Sequence, residues 1–246
     1  AQEGQVGGFV YSEEEVMRTL GLIGGMSWES TIPYYRIINE HVRDQLGGLH
    51  SAKLVLHSVD FAEIEALQHA GDWHTAGALL AGAARGLRTA GAEAIVVCTN
   101  TMHLVAPAIE TAVDIPLLHI ADATAERIHA AGLACVALLG TRFTMEQAFY
   151  RERIEAAGIT VLTPDPAQRE RVHRVIYDEL CLGRIVGASR GDYRTIMSDL
   201  VVRGAQGVIL GCTEIGMLVG EGDAAVPLFD TTRIHAEYAA DWALAG

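Results

Sequence analysis

The chain has 246 residues, of which 50% are hydrophobic and 20% charged, enough for one large core or two smaller ones. Its formal net charge is −13, from 18 basic against 31 acidic side chains. That balance repels phosphate backbones and anionic bilayers, which excludes nucleic acid and membrane surfaces as general partners.

Residues 1–16 are rich in Gly and Glu and carry no basic region followed by an apolar signal core. They read as a mobile, dispensable leader, and the expected compartment is a reducing cytoplasm. Leu20–Gly24 is the first predicted strand, turning at Gly24-Gly25 into a helix over about 29–46. A strand at Lys53–Ser58 precedes helical patterns over 61–69 and 72–90, the second capped by Asp72. Strands at Ala94–Cys98 and Leu117–His119 lead to a helix over 121–131 that Gly132 ends. The second half repeats the order. Its strands are Leu133–Leu139, Thr160–Leu162, Gly207–Leu210 and Val226–Phe229, with helices over 143–157, 167–182, 190–203 and 231–244. Continuous apolar strands imply sheets covered on both faces by helices. The alternation predicts an α/β protein of two similar three-layer lobes with mostly parallel sheets and a site between them. The expected first lobe is 17–117 plus 225–246, where the last strand and helix cross back, and the second is 118–224.

Two segments carry the chemistry. Cys98-Thr99-Asn100-Thr101-Met102-His103 and Gly211-Cys212-Thr213-Glu214 each follow an apolar strand and enter a probable helix. Open α/β sheets bind ligands at the carboxyl ends of their strands. Two facing proton-transfer groups suit chemistry at a carbon acid. Helix amides are expected to depress the Cys212 pKa and favour a thiolate; a small buried hydrophobe is the plain alternative for this residue. Cys135 and Cys181, in apolar contexts, read as core thiols, and the four cysteines match no CxxC pattern. His103 suits packing or a helix cap as well as proton transfer. His119 and His235 are too dispersed to define a metal site. Gly24-Gly25-Met26-Ser27-Trp28-Glu29-Ser30-Thr31 matches neither GxGxxG nor GxxxxGK[ST], so a nucleotide is not indicated.

Taken together, these segments resemble the aspartate/glutamate racemase superfamily, from Met17 nearly to the C-terminus. Gly48-Leu49-His50-Ser51-Ala52, Gly140-Thr141 and Tyr177-Asp178-Glu179-Leu180 belong to the match as well. The resemblance implies racemisation of aspartate or glutamate without pyridoxal phosphate, other cofactor or metal, in a homodimer whose partner is otherwise a small amino-acid substrate. It places Cys212 as a catalytic acid/base. Met26, Ser27, His50, Ser51, Asn100, Thr101, Thr141, Thr213 and Glu214 become candidate substrate-binding residues, with His103 in support. The family's first cysteine stands immediately before Asn-Thr, and here that position is Thr99. One step along a strand reverses side-chain direction, so the catalytic role opposite Cys212 falls to Thr99 and not to Cys98. A subgroup with this Thr/Cys pair resembles racemases that prefer the L-enantiomer. An arylmalonate-decarboxylase-like enzyme needs only the Cys212 position, hydantoin racemases and maleate isomerases are related by fold, and a catalytically silent amino-acid-binding protein is the non-enzymatic alternative. Arg36, Arg43, Arg142 and Arg174 are candidates for side-chain selectivity, beside His50 and Ser51.

Overall fold

The computed structural model describes residues 17–246; the leader expected over 1–16 lies outside them. Each half of the chain builds a four-stranded, all-parallel sheet. In the first, β1 (Leu20–Gly24), β2 (Leu54–Ser58), β3 (Ala94–Val97) and β4 (Leu117–Leu118) lie in the order β2-β1-β3-β4. In the second, β5 (Cys135–Gly140), β6 (Thr160–Leu162), β7 (Val208–Gly211) and β8 (Leu228–Asp230) lie in the order β6-β5-β7-β8. The expected duplication is therefore present in topology. β8, expected to cross back to the first lobe, instead pairs with β7 in the second sheet.

The helices follow from legible local signals. α1 (Trp28–Leu46) leaves the β1 turn, where Gly25 holds φ 91° and an added Cβ would collide with the Val59 carbonyl. α2 (Phe61–Ala70) is capped by Asp60 and ended by left-handed Gly71. The Asp72 carboxylate accepts the Thr75 N–H at 3.0 Å to start α3 (Trp73–Thr89). A 3-10 turn over Thr101–Val105 and α4 (Ala106–Ala112) carry the chain to β4. α5 (Ile120–Ala130) makes the crossing to the second lobe and stops before Gly132, as its sequence predicts.

After β5 the helical pattern expected over 143–157 is broken at Gln147, giving α6 (Arg142–Glu146) and α7 (Ala148–Ala156). α8 (Pro166–Asp178) opens with an Asp165/Gln168 capping box, and α9 (Gly187–Val202) precedes β7. α10 (Ile215–Leu218) is a single short turn, and α11 (Thr231–Leu244) closes the chain. α11 packs against α1 of the first lobe and α5 of the second. Each sheet is sandwiched by two apolar clusters, one per face. On β3, Ile95 and Val97 pack towards α3, whereas Ala94, Val96 and Cys98 pack towards α1 and α11. On β7, Val208, Leu210 and Cys212 share the face covered by α8 and α9.

Candidate active site

In both sheets the strand order reverses beside the central strand, between β1 and β3 and again between β5 and β7. Such a switch point opens a crevice at the carboxyl edge, and the two crevices face each other. The register relates their contents. Ile23 pairs with Val97, so Gly24, the end of β1, lies level with Cys98; at the end of β5, Gly140 pairs with Gly211. One residue further on, Thr99 is the topological counterpart of Cys212, as Asn100 is of Thr213 and Thr101 of Glu214.

Between the lobes lies a tight pocket of about 20 Å3 lined by Met26, Thr99, Asn100, Thr101, Thr141, Cys212 and Glu214, together with Phe61, Gln68, Ile176, Tyr177, Cys181 and Gly211. Cys98 is not part of it. The Cys98 N–H still bonds the Ile23 carbonyl at 2.9 Å, and the Thr99 N–H then turns back to the Val97 carbonyl at 2.9 Å. Alternation holds through the end of β3, leaving the Cys98 thiol sealed in the core with its pKa pushed up by burial.

Cys212 sits in a small polar knot. Its Sγ donates to Glu214 Oε2 at 2.9 Å, Thr213 Oγ1 donates to the same oxygen at 2.8 Å, and Ser27 Oγ donates to Oε1 at 2.9 Å from the opposite lobe. Burial, and then the Glu214 charge, push the Cys212 pKa well above the ordinary thiol value. The expected depression by helix amides is not met, because α10 has only four residues and a carboxylate stands against the sulfur. Ser27 and Thr213, expected to bind substrate, do not line the pocket and instead hold Glu214 against the thiol. Cys181, expected in the core, is half-buried and lines the same pocket.

A second cross-lobe link mirrors the first. Thr101 Oγ1 and Thr141 Oγ1 lie 3.0 Å apart, with Thr144 Oγ1 at 3.2 Å from Thr141. Asn100 donates Nδ2 to Thr231 Oγ1 at 2.9 Å, while its Oδ1 is buried without any protein partner. A buried acceptor of this kind calls for a donor from outside the chain.

His103 does not enter the pocket. Its Nδ1 lies 2.8 Å from the Thr99 carbonyl, which can only accept, so Nδ1 carries the proton; Nε2 accepts the Ile120 N–H at 3.3 Å. The ring clips the Thr99 peptide to the start of α5. The fold brings His119 and His235 alongside it, at centroid distances of 4.5 and 5.7 Å from His103, a cluster the sequence spacing concealed. His235 Nε2 donates to the Leu118 carbonyl at 2.8 Å and Nδ1 accepts from Tyr34 at 2.9 Å. His119 Nδ1 caps α5 by accepting the Ala121 N–H. Among the described residues no group of His, Cys, Asp and Glu is arranged to hold a metal.

His50 and Ser51 are a correction. Both are exposed on the loop before β2. In a parallel sheet that loop lies at the amino edge, opposite the pocket. Arg36 and Arg43 project from α1 into solvent, Arg142 faces Glu170 at 3.7 Å, and Arg174 is exposed; none of the four lines the pocket.

Duplicated α/β lobes presenting a thiol and a hydroxyl from matching strand ends into one crevice define a class of two-lobe α/β proteins with a pocket between the lobes. The profile of the Asp/Glu/hydantoin racemase family matches residues 23–239. The chain belongs to that family. It is 63% identical to a Yersinia pestis protein described as a candidate Asp/Glu racemase, over 93% of this chain and 100% of that one, with a TM-score of 0.87. An aspartate racemase homologue from Pyrococcus horikoshii OT3 is 35% identical over 92% of this chain and 99% of that one, with a TM-score of 0.80. The broad specificity amino-acid racemase RacX of Bacillus subtilis (strain 168) is 23% identical over 224 residues, 89% of this chain and 95% of that one. No described helix is long and apolar enough to cross a membrane.

Proposed function

We propose that the protein exchanges the α-proton of a free amino acid and so interconverts its enantiomers, with a preference for the L-form. The observation that carries this reading is the pairing of Cys212 with Thr99 across one pocket, with Glu214 holding the thiol proton at 2.9 Å. Because burial raises the Cys212 pKa, the thiol needs a base. Glu214 takes the Sγ proton, and the thiolate then removes the α-proton and becomes a thiol again. The electron pair left on the α-carbon spreads into the α-carboxylate. Backbone amides at the strand-end turns and the hydroxyls of Thr101 and Thr141, which line the pocket, stabilise that charge. Asn100 Oδ1, an acceptor without a protein partner, takes an N–H of the substrate ammonium. A proton returns from the Thr99 side, through its hydroxyl or a water it holds. Aliphatic hydroxyls are far weaker acids than thiols, so exchange of the α-hydrogen is faster for the L-enantiomer, which faces Cys212, than for the D-enantiomer, which faces Thr99. An equilibrium constant of one keeps kcat/KM for net racemisation equal in both directions.

Aspartate and glutamate are the substrates that the family resemblance suggests, and both belong in the first assay. That assay follows α-hydrogen exchange by NMR in D2O without added cofactor, for both enantiomers. Cys212→Ala is expected to abolish exchange, and retained exchange would sink the assignment. Glu214→Gln separates base from bystander. Removing the negative charge lowers the thiol pKa, so a purely electrostatic Glu214 gives full activity with the pH profile moved to lower pH. The expected result for a base is a loss of roughly 100-fold near neutral pH. Amino-acid binding with no exchange in the wild-type protein would select the silent binding protein instead.

A further inference from the structure

Beyond the groups assigned to the α-carbon, the pocket wall carries a second polar pair. Gln68, in the last turn of α2, is 3% exposed. Its Oε1 accepts the Tyr177 hydroxyl at 3.0 Å, and its Nε2 donates to Met102 Sδ at 3.0 Å. The thioether has no proton to give, which sets the amide orientation. One Gln68 N–H and the lone pairs of the Tyr177 oxygen are left over. α2 and α8 follow the equivalent edge strands β2 and β6, so the two lobes each contribute one member of the pair.

The charge around this pair has one sign. Glu214 is the only Asp, Glu, Lys or Arg on the pocket wall among the described residues. Tyr177 is held in its neutral form first by burial, then by Cys212, Cys181, Glu65 and Glu214. Arg142, next to the wall residue Thr141, is half exposed and opposed by Glu170. The two imidazoles beside the Tyr177 ring bring no free cation. His69 is 2.7 Å from Glu65, and burial and Arg142 depress the His173 pKa. A side-chain carboxylate seated here would be a second buried anion beside Glu214 with no counter-charge. A carboxamide or hydroxyl offers both a donor and an acceptor, which matches the leftover N–H and lone pairs.

We propose that Gln68 and Tyr177 read the substrate side chain and select a neutral polar group over the carboxylate of the same shape. This inference rests on the racemase reading and names its substrate class. The test compares isosteric pairs, L-asparagine with L-aspartate and L-glutamine with L-glutamate, by α-hydrogen exchange in D2O with the wild-type protein, Gln68→Lys and Tyr177→Phe. In the wild type the kcat/KM ratio of amide to acid is expected to exceed about tenfold. Gln68→Lys supplies the missing cation and is expected to bring the ratio below one; Tyr177→Phe removes the hydroxyl and is expected to bring it towards one. Each ratio is internal to one preparation, so partial loss of folded protein does not alter it, and Tyr177→Phe carries the test should Gln68→Lys fail to fold. Acids exchanged as fast as amides by the wild type, or a ratio unmoved in the folded variants, overturns the inference and leaves the racemase reading standing. No exchange of any amino acid removes both.

Discussion

At the scale of single residues, the site turns on Thr99 and on the adjacent cysteine that does not share its face. The Cys98 amide keeps its ladder bond to Ile23, and its side chain points into the cluster beneath α1 and α11. Thr99→Cys therefore places a second thiol opposite Cys212. A thiol is much better matched than an alcohol to proton transfer near neutral pH, so α-hydrogen exchange of the D-enantiomer is expected to rise by more than that of the L-enantiomer. NMR of α-hydrogen exchange in D2O, run on each enantiomer separately, measures this. In the same assay, Cys98→Ala is expected to leave exchange intact; a folded Cys98→Ala protein without exchange would reverse the assignment of the two residues. That alternation was legible in the sequence, because a strand side chain changes face at every residue. The role of Glu214 was less so. GlyCysThrGlu marks it as part of the site, but only the fold shows both oxygens engaged, one by Cys212 and one by Ser27 from 187 positions away.

At the scale of elements, the buried histidines tie the β4–α5 crossing to α1 and α11. His103 holds the Ile120 amide, His235 holds the Leu118 carbonyl, and His119 caps α5. Burial lowers the His119 pKa to about 3 and that of His235 to about 4. Between these values and the unfolded value of about 6.5, the unfolded chain binds protons that the folded one refuses. Stability is therefore full above about pH 6.5 and declines as the pH falls from there, down to about 4 for His235 and about 3 for His119. For His235 the loss is on the order of 3 kcal/mol. Denaturant titrations at several pH values measure that slope, and His235→Gln is expected to flatten it. A His235→Gln protein with the wild-type slope would rule out His235 as its source. The predicted helix over 143–157 failed for a local reason. Gln147 adopts an extended conformation between α6 and α7, and nothing in its side chain announces this.

At the scale of the whole molecule, the lobes meet around the pocket through a few polar and aromatic contacts. Ser27 reaches Glu214, Thr101 reaches Thr141, Gln68 reaches Tyr177, and Trp73 meets Phe143 edge to face at 5.3 Å. The pocket behind this rim, about 20 Å3, has room for little more than a water, so an amino acid enters only when the lobes part and is held when they close. Trp73 does not line it. An aromatic pair of this kind is worth about 0.5–1.5 kcal/mol beyond its burial. Trp73→Ala is therefore expected to raise KM by roughly two- to tenfold through a smaller closed population, with the pH profile of exchange unchanged. A fall in kcat with KM constant would instead mean that Trp73 helps to hold the reacting groups.

The sequence by itself determined the eight strands, most of the helices and the two thiol-bearing strand ends. These rest on local rules: apolar run length, capping side chains, and glycines where the backbone must turn. It also placed Cys212 and Thr99 in one site through the motifs around them. Contacts between distant segments were decided only by the tertiary structure. His50 and Ser51 lie in a recognisable motif, yet their loop precedes β2 and so falls at the amino edge of a parallel sheet. Gln68 carries no motif and enters the pocket because α2 follows an edge strand and faces α8 across the cleft. The strand β8 joined the second sheet because its partner is β7, and pairing partners in a parallel sheet are set by packing over long separations, which no local pattern encodes.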